Sequence, residues 1–175
     1  VADMLIQQID TLTNIANEFS NFGKFPITKL EKIDLVIVLQ NLINLFKKLK
    51  DRKLDLIVAD SNLYSMVDKE QFIRAITNLI KNADQSISEN KFGFIKIKLS
   101  KIDGNIEIRV SDNGTGIPLE VYPKIFVPNF TTKNSGTGLG LAMVKNSIVT
   151  FNGSIRFESE VGVGTTFIIL LPSVD

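Results

Sequence analysis

The chain has 175 residues, 44% apolar and 22% charged, with a net charge of +1; this suits one globular domain with a short appendage and offers no bulk field for nucleic acid. It has no cysteine and no histidine, which removes disulfides, thiolate or imidazole zinc sites, Ser-His-Asp triads and histidine general bases. No apolar run reaches the roughly 18 residues of a membrane span, and the start, VADMLIQQID, has no signal-peptide pattern.

Residues 4–22 read as a helix. Leu5, Ile9, Leu12, Ala16 and Phe19 step by four and three along a heptad seam. That seam serves either its own domain or a partner helix. Gly23 and Pro26 end it. KIDL (32–35) is a short strand candidate, and 36–49 is apolar at helical intervals. KLDLIVAD (53–60) alternates like a strand, and YSMV (64–67) is a weaker candidate. Asp68 is placed to cap a long helix over roughly 69–89. Two strands, 94–100 and 106–112, flank a turn at Asp103-Gly104. Residues 113–137 read as loop with one helical turn near 119–125, 138–151 as a helix, and the remainder as a hairpin around Gly162 and Gly164. Helices and antiparallel strands fall in separate blocks. That predicts an α+β sandwich with helices on one face of a mixed sheet.

Three stretches carry chemistry. NSGTGLGLAMVKN (134–146) is neither a Rossmann fingerprint, since Leu141 stands at the third glycine position, nor a Walker A loop. Glycines running into a helix still allow close backbone approach and offer free N–H groups to an anion. Lys133, Ser135 and Thr137 add a cation and two hydroxyls. The stretch is either a phosphate cradle or a plain glycine-rich turn. SDNGTGIP (111–118) is first a turn signal. Asp112 nevertheless ends a strand, and a carboxylate is acceptor-only. It can accept from the 6-amino group of adenine and would reject the carbonyl of guanine. On the helix 69–87, at about 100° per residue, Phe72, Ile76, Leu79, Ile80, Ala83 and Ile87 share one face, and Asn78, Lys81, Asn82 and Gln85 another. The second face is either solvated or places an amide carbonyl on Mg²⁺.

The order of the motifs is more specific than any one of them. NLIKNA (78–83), DNGTGIP (112–118), KIFVPNFTTK (124–133), GTGLGL (136–141) and GVGT (162–165) resemble the N, G1, F, G2 and G3 boxes of the GHKL ATPases. Within that superfamily they resemble the catalytic domain of sensor histidine kinases, over roughly residues 30–172. FTTK…GTGLGLA and EFSNFGKFP look most like the nitrogen-regulation branch.

The resemblance implies a Bergerat-type two-layer α/β sandwich with a mixed, mostly antiparallel sheet, preceded by one N-terminal helix. It implies ATP, with ADP as product, bound between the long helix and a lid over about 120–138. By position, Asn82 would coordinate Mg²⁺ and Asn78 would line the phosphate side. Asp112 would read adenine, with Gly114, Gly116 and Ile117 along the wall. Lys133 and the loop of Ser135, Gly136, Thr137, Gly138, Leu139 and Gly140 would hold the phosphates, beside Thr132. Phe126 and Phe130 would anchor the lid. Gly164 and Thr165 would close the adenine side.

Residues 1–27 would be the second helix of a dimerisation and phosphotransfer hairpin with its linker, and 28–175 the ATP-binding domain. The first helix of such hairpins carries the phosphoacceptor histidine. This chain has none, so a fragment starting after that helix is expected, or else a degenerate kinase. The implied partners are a response regulator receiver domain and, in the full-length protein, a second copy. No nucleic acid and no direct membrane contact are expected. A cytoplasmic location is expected, with the full-length protein free or membrane-anchored. Two positions depart from the family pattern: Asn129 replaces an aromatic, which bears on lid packing, and Ser86 replaces a small apolar residue.

Hydrolases of the superfamily carry a general-base Glu one helical turn before the metal-binding Asn. Here that position is Asn78, which cannot take a proton. A kinase needs no activated water, because the acceptor imidazole is the nucleophile. Transfer to histidine is therefore expected over hydrolysis, and over a nucleotide-sensing pseudokinase, since Asn82, Lys133 and the glycines are intact.

Overall fold

The computed structural model describes residues 27–46, 52–132 and 137–174, and Ile9 and Thr13 as helical positions. The remainder of the helix expected over 4–22, with Leu5, Leu12, Ala16 and Phe19, lies outside the described residues, as do Lys133, Ser135 and Gly136. In chain order the elements are β1 (Glu31–Asp34), α1 (Leu35–Phe46), β2 (Arg52–Val58), β3 (Tyr64–Val67), α2 (Lys69–Ser86), β4 (Gly93–Ile102) and β5 (Asn105–Asp112). A 3₁₀ turn (Leu119–Lys124), α3 (Gly140–Thr150), β6 (Ser154–Glu160) and β7 (Gly164–Pro172) follow.

The main sheet has the order β2-β4-β5-β7-β6, parallel only between β2 and β4. Period-two alternation sorts its faces. Ile95, Ile97 and Leu99 of β4, Ile106, Ile108 and Val110 of β5, and Phe167, Ile169 and Leu171 of β7 are buried. They form cross-strand rows such as Ile97–Val110–Phe167. Against them pack Phe72, Ile76, Leu79, Ile80 and Ala83 of α2 and Val144 and Ile148 of α3. Each fully buried Leu, Ile or Phe contributes about 1.5–3 kcal/mol by leaving water. The opposite face carries most of the charged residues, tied by ion pairs such as Arg109–Glu158 at 3.0 Å, together with the buried Ile168.

The two-stranded ladder of β1 and β3 stands apart from the main sheet, a division that alternation alone does not reveal. Each of its strands feeds a helix. Asp34 Oδ1 accepts from Val36 N and Ile37 N at the start of α1, and Asp68 Oδ1 accepts from Gln71 N at the start of α2. Both are side-chain N-caps.

The far end of α2 differs from the expected 69–89. The helix stops at Ser86, and Ile87 turns extended and is buried. Tertiary donors take its last carbonyls. Thr115 N donates to Ser86 O at 2.9 Å and Arg52 Nη2 donates to Ile87 O at 3.1 Å. The same guanidinium pairs with Asp84 at 2.8 Å. Once those acceptors are satisfied outside the helix, further intrahelical bonds gain little. Ile87 thus leaves the helical face assigned to it and reaches the core from beyond the helix end.

Candidate nucleotide site

Asp112 occupies the last inward position of β5. Its row partner on β4 is Ile95, so alternation turns the carboxylate to the same face as Val110 and Ile108. Thr165 likewise precedes Phe167 on the inner face of β7 and is buried. Two apolar rows therefore end in polar residues beneath the C-terminal turn of α2. Asp112 Oδ1 accepts from Gly114 N at 2.8 Å, Ser86 Oγ at 3.1 Å and Thr165 N at 3.3 Å. Such a carboxylate is held in one orientation.

The glycines around it are demanded by space. A Cβ on Gly114 would collide with Ser86 Oγ, and one on Gly116 with the carbonyl of Glu160. Gly164 has φ of +146°, and a Cβ there would collide with the backbone carbonyl of Asp112. Gly162 N donates to Thr115 O at 2.8 Å, tying the hairpin tip to the same loop.

A cavity of about 480 Å³ opens beside Asp112. It is large enough for a ligand of nucleotide size. Asn78, Lys81, Asn82 and Gln85 of α2 form one wall, and Gly138, Gly140 and Leu141 stand at the start of α3. A Cβ on Gly140 would lie 3.8 Å from Asn78 Cγ and clear of backbone. The first turn of α3 thus faces the Asn78 side chain of the amide ridge, and helix N-termini favour anions. Among the described lining residues Lys81 is the only cation and Asp112 the only anion. The cavity is polarised along its length.

The segment around Tyr122 and Phe126 is pinned by aromatic contacts. Tyr122 lies 4.6 Å from Phe157, centroid to centroid, and its hydroxyl donates to Ser159 O at 2.7 Å. Phe126 sits edge-on to Phe157 and Phe167, with Lys145 Nζ 5.5 Å over its ring. Asn129 has φ of +63°, a conformation that asparagine tolerates better than an aromatic side chain. A Cβ on Gly138, φ +70°, would come within 2.6–2.7 Å of the Asn129–Phe130 backbone. Gly138 is thus packed against the backbone at Asn129 and Phe130.

The structure thus gathers Asn78, Asn82, Asp112, Gly116, Ile117, Phe130, Thr132, Thr137, Gly138, Gly140 and Thr165 around one cavity. It sets Gly114, Phe126 and Leu139 behind the lining. Leu139 is 4% exposed, and its N–H donates to Thr137 Oγ1 at 3.4 Å. The expected helix 138–151 begins at Gly140. Lys81, Gln85, Ser86 and Thr131 also line the cavity and were not among the expected site residues. The helical spacing that joins Lys81 and Gln85 to the asparagines was the signal for two of them.

Asn82 can offer one amide oxygen to a hard cation. Among the described residues no group of three or more His, Cys, Asp or Glu could hold a metal. A cation at Asn82 would thus draw its other ligands from phosphate and water, which is the usual habit of Mg²⁺. No helix of the described residues is long and apolar enough to cross a membrane.

A family profile for the histidine kinase-, DNA gyrase B- and HSP90-like ATPases matches residues 67–175. The sensor histidine kinase ZraS of Escherichia coli (strain K12) is 31% identical over 98% of this chain and 37% of its own length. Sporulation kinase D of Bacillus subtilis (strain 168) is 32% identical over 95% of this chain and 33% of its own. The chain thus spans about a third of these curated relatives. The catalytic domain of histidine kinase ThkA superposes with a TM-score of 0.74 at 29% identity, covering 83% of this chain and 96% of that one. The mycobacterial sensor histidine kinase MprB gives 0.72 at 26%, covering 82% and 97%. The chain belongs to the histidine kinase-, DNA gyrase B- and HSP90-like ATPase family, and its fold is that of histidine kinase catalytic domains.

Proposed function

We propose that this chain binds ATP as the catalytic part of a sensor histidine kinase and transfers the γ-phosphoryl group to a histidine that lies outside it. The observation that carries the reading is the polarised cavity, with a carboxylate held by three donors at one end and an amide ridge facing a helix N-terminus at the other. Asp112 would accept from the adenine 6-amino group. Asn78, Lys81 and the backbone of the Gly138–Gly140 loop would line the phosphates, with Lys133, Ser135 and Gly136 assigned to the same loop by the sequence motif. Asn82 would hold Mg²⁺, which when bound neutralises phosphate charge. The chain's own contribution is orientation and exclusion of water. The imidazole nitrogen attacks the γ-phosphorus, the bond to the β–γ bridging oxygen breaks, and ADP leaves. Asn78 can orient but cannot take a proton, which favours transfer over hydrolysis.

Residues 1–27 would supply one helix of the phosphotransfer hairpin. A second copy would complete the assembly, and a response regulator receiver domain would take the phosphoryl group onward. The test is transfer in trans. The chain is incubated with ATP–Mg²⁺ and a separately produced helix that carries a phosphoacceptor histidine. Acid-labile, base-stable phosphohistidine is the expected product. Rapid phosphate release without phosphohistidine, unchanged by Asn78→Ala, would overturn the reading.

A further inference from the structure

Ser86 ends α2 and closes one side of the Asp112 pocket. Its hydroxyl lies 2.7 Å from Ala83 O and 3.1 Å from Asp112 Oδ1. A hydroxyl has one proton to donate. Here it is shared between a helix carbonyl and a carboxylate. The backbone of Ser86 is fixed as well, because its carbonyl accepts from Thr115 N at 2.9 Å. A Cβ on Gly114 would collide with Ser86 Oγ and come within 2.8 Å of Asp112 Oδ1. Three chain segments therefore converge on one carboxylate oxygen, with no slack for it to turn.

Two backbone N–H groups, those of Gly114 and Thr165, also donate to Asp112 Oδ1. Of these three donors, only the Ser86 hydroxyl belongs to a side chain. It is the one that substitution can remove while the loop keeps its course. We propose that Ser86 is a positioning residue for purine recognition, holding Asp112 against the end of α2 in the orientation that receives a 6-amino group. This rests on the reading that adenine lies against Asp112. Ser86 acts through Asp112 and has no part in binding phosphate. The departure of Ser86 from the family's small apolar residue thereby gains a role at the site.

The test is calorimetric titration of the whole chain, with Mg²⁺, using two ligands. One is ATP and the other is purine riboside triphosphate, which has hydrogen in place of the 6-amino group. Ser86→Ala is expected to weaken ATP about three- to tenfold and to leave the analogue within about twofold, so the preference for ATP shrinks. Ser86→Thr, which keeps a hydroxyl, is expected to retain the preference. Equal weakening of both ligands, or an unchanged preference, would overturn the role of Ser86 and leave the ATP reading standing. Loss of the preference in a folded Ser86→Thr variant would overturn it too. Wild-type chain that binds both ligands equally would overturn the assignment of Asp112, and with it this inference.

Discussion

The two ends of the cavity are built differently. At the Asp112 end, three hydrogen bonds meet one oxygen, and three glycines leave no space for a side chain. At the other end, the nearest neighbours of a Cβ on Gly140 are Asn78 side-chain atoms at 3.8–4.0 Å. One end has no room for a methyl group at its glycines, and the other could take one at Gly140 in ordinary contact with the Asn78 side chain. A base needs a rigid template, because discrimination between amino and carbonyl rests on leaving a fixed acceptor unpaired with the wrong ligand. In the proposed function the other end would take phosphates and a hydrated cation, which need less exact contact than a base edge.

That contrast can be broken most severely at Gly164. Gly164→Ala strains a φ of +146° and drives a methyl group into the Asp112 carbonyl. A loss on the order of 3 kcal/mol or more is expected in denaturant unfolding. Stability within 1 kcal/mol of wild type, on the same scale, would show that the Asp112 end is looser than the geometry implies. Asp112→Asn comes next. An amide oxygen can still accept from the two backbone N–H groups, so folding should survive. The amide can now set a donor against the 6-amino donor, and ATP affinity should fall about 10- to 100-fold by calorimetry. Unchanged affinity would remove Asp112 from the site.

Gly140→Ala sharpens the comparison from the other side. With ordinary helical backbone and only ordinary contact with Asn78 for the new methyl group, it should leave stability unchanged or raise it by up to about 1 kcal/mol. The loss should appear in ATP binding. A stability loss as large as that of Gly164→Ala would erase the difference between the two ends. The smallest effect lies outside the cavity. The hydrogen bond from Arg156, opposed by desolvation and aided by Arg109, holds the Glu158 carboxyl below the usual carboxylate range. A folded-state pKa below the unfolded one gives stability that is present above the unfolded value and lost as pH falls through the folded one. Glu158→Gln should therefore flatten a small decline in Tm below about pH 4.3. A decline of the same slope in the variant would assign it to other carboxylates.

Much of this was legible along the chain. YSMV is the observed β3, and the Asp103-Gly104 turn joins β4 to β5, with both residues at positive φ. Asp68 caps α2. These features are local: alternation, caps and turn residues act within a few positions. The order of the glycine boxes carried the family. The end of α2 was not legible, because Arg52 and Thr115, distant in sequence, take its last carbonyls. The separation of β1 and β3 from the main sheet also depends on long-range pairing. Leu139 is placed with the phosphate loop by proximity in sequence, and the structure puts it at the N-cap of α3 with its side chain buried.

By itself the sequence determined most of the strands and helices, the polar ridge of α2 and the position of Asp112 at a strand end. These follow from periods of two and 3.6 residues and from the chemistry of single side chains. Only the tertiary structure decided which oxygen of Asp112 meets which donors, that Ser86 is one of them, and that Gly114 and Gly164 are required by contact with residues far along the chain. Those are distances between segments that the fold alone brings together, and no local pattern encodes them.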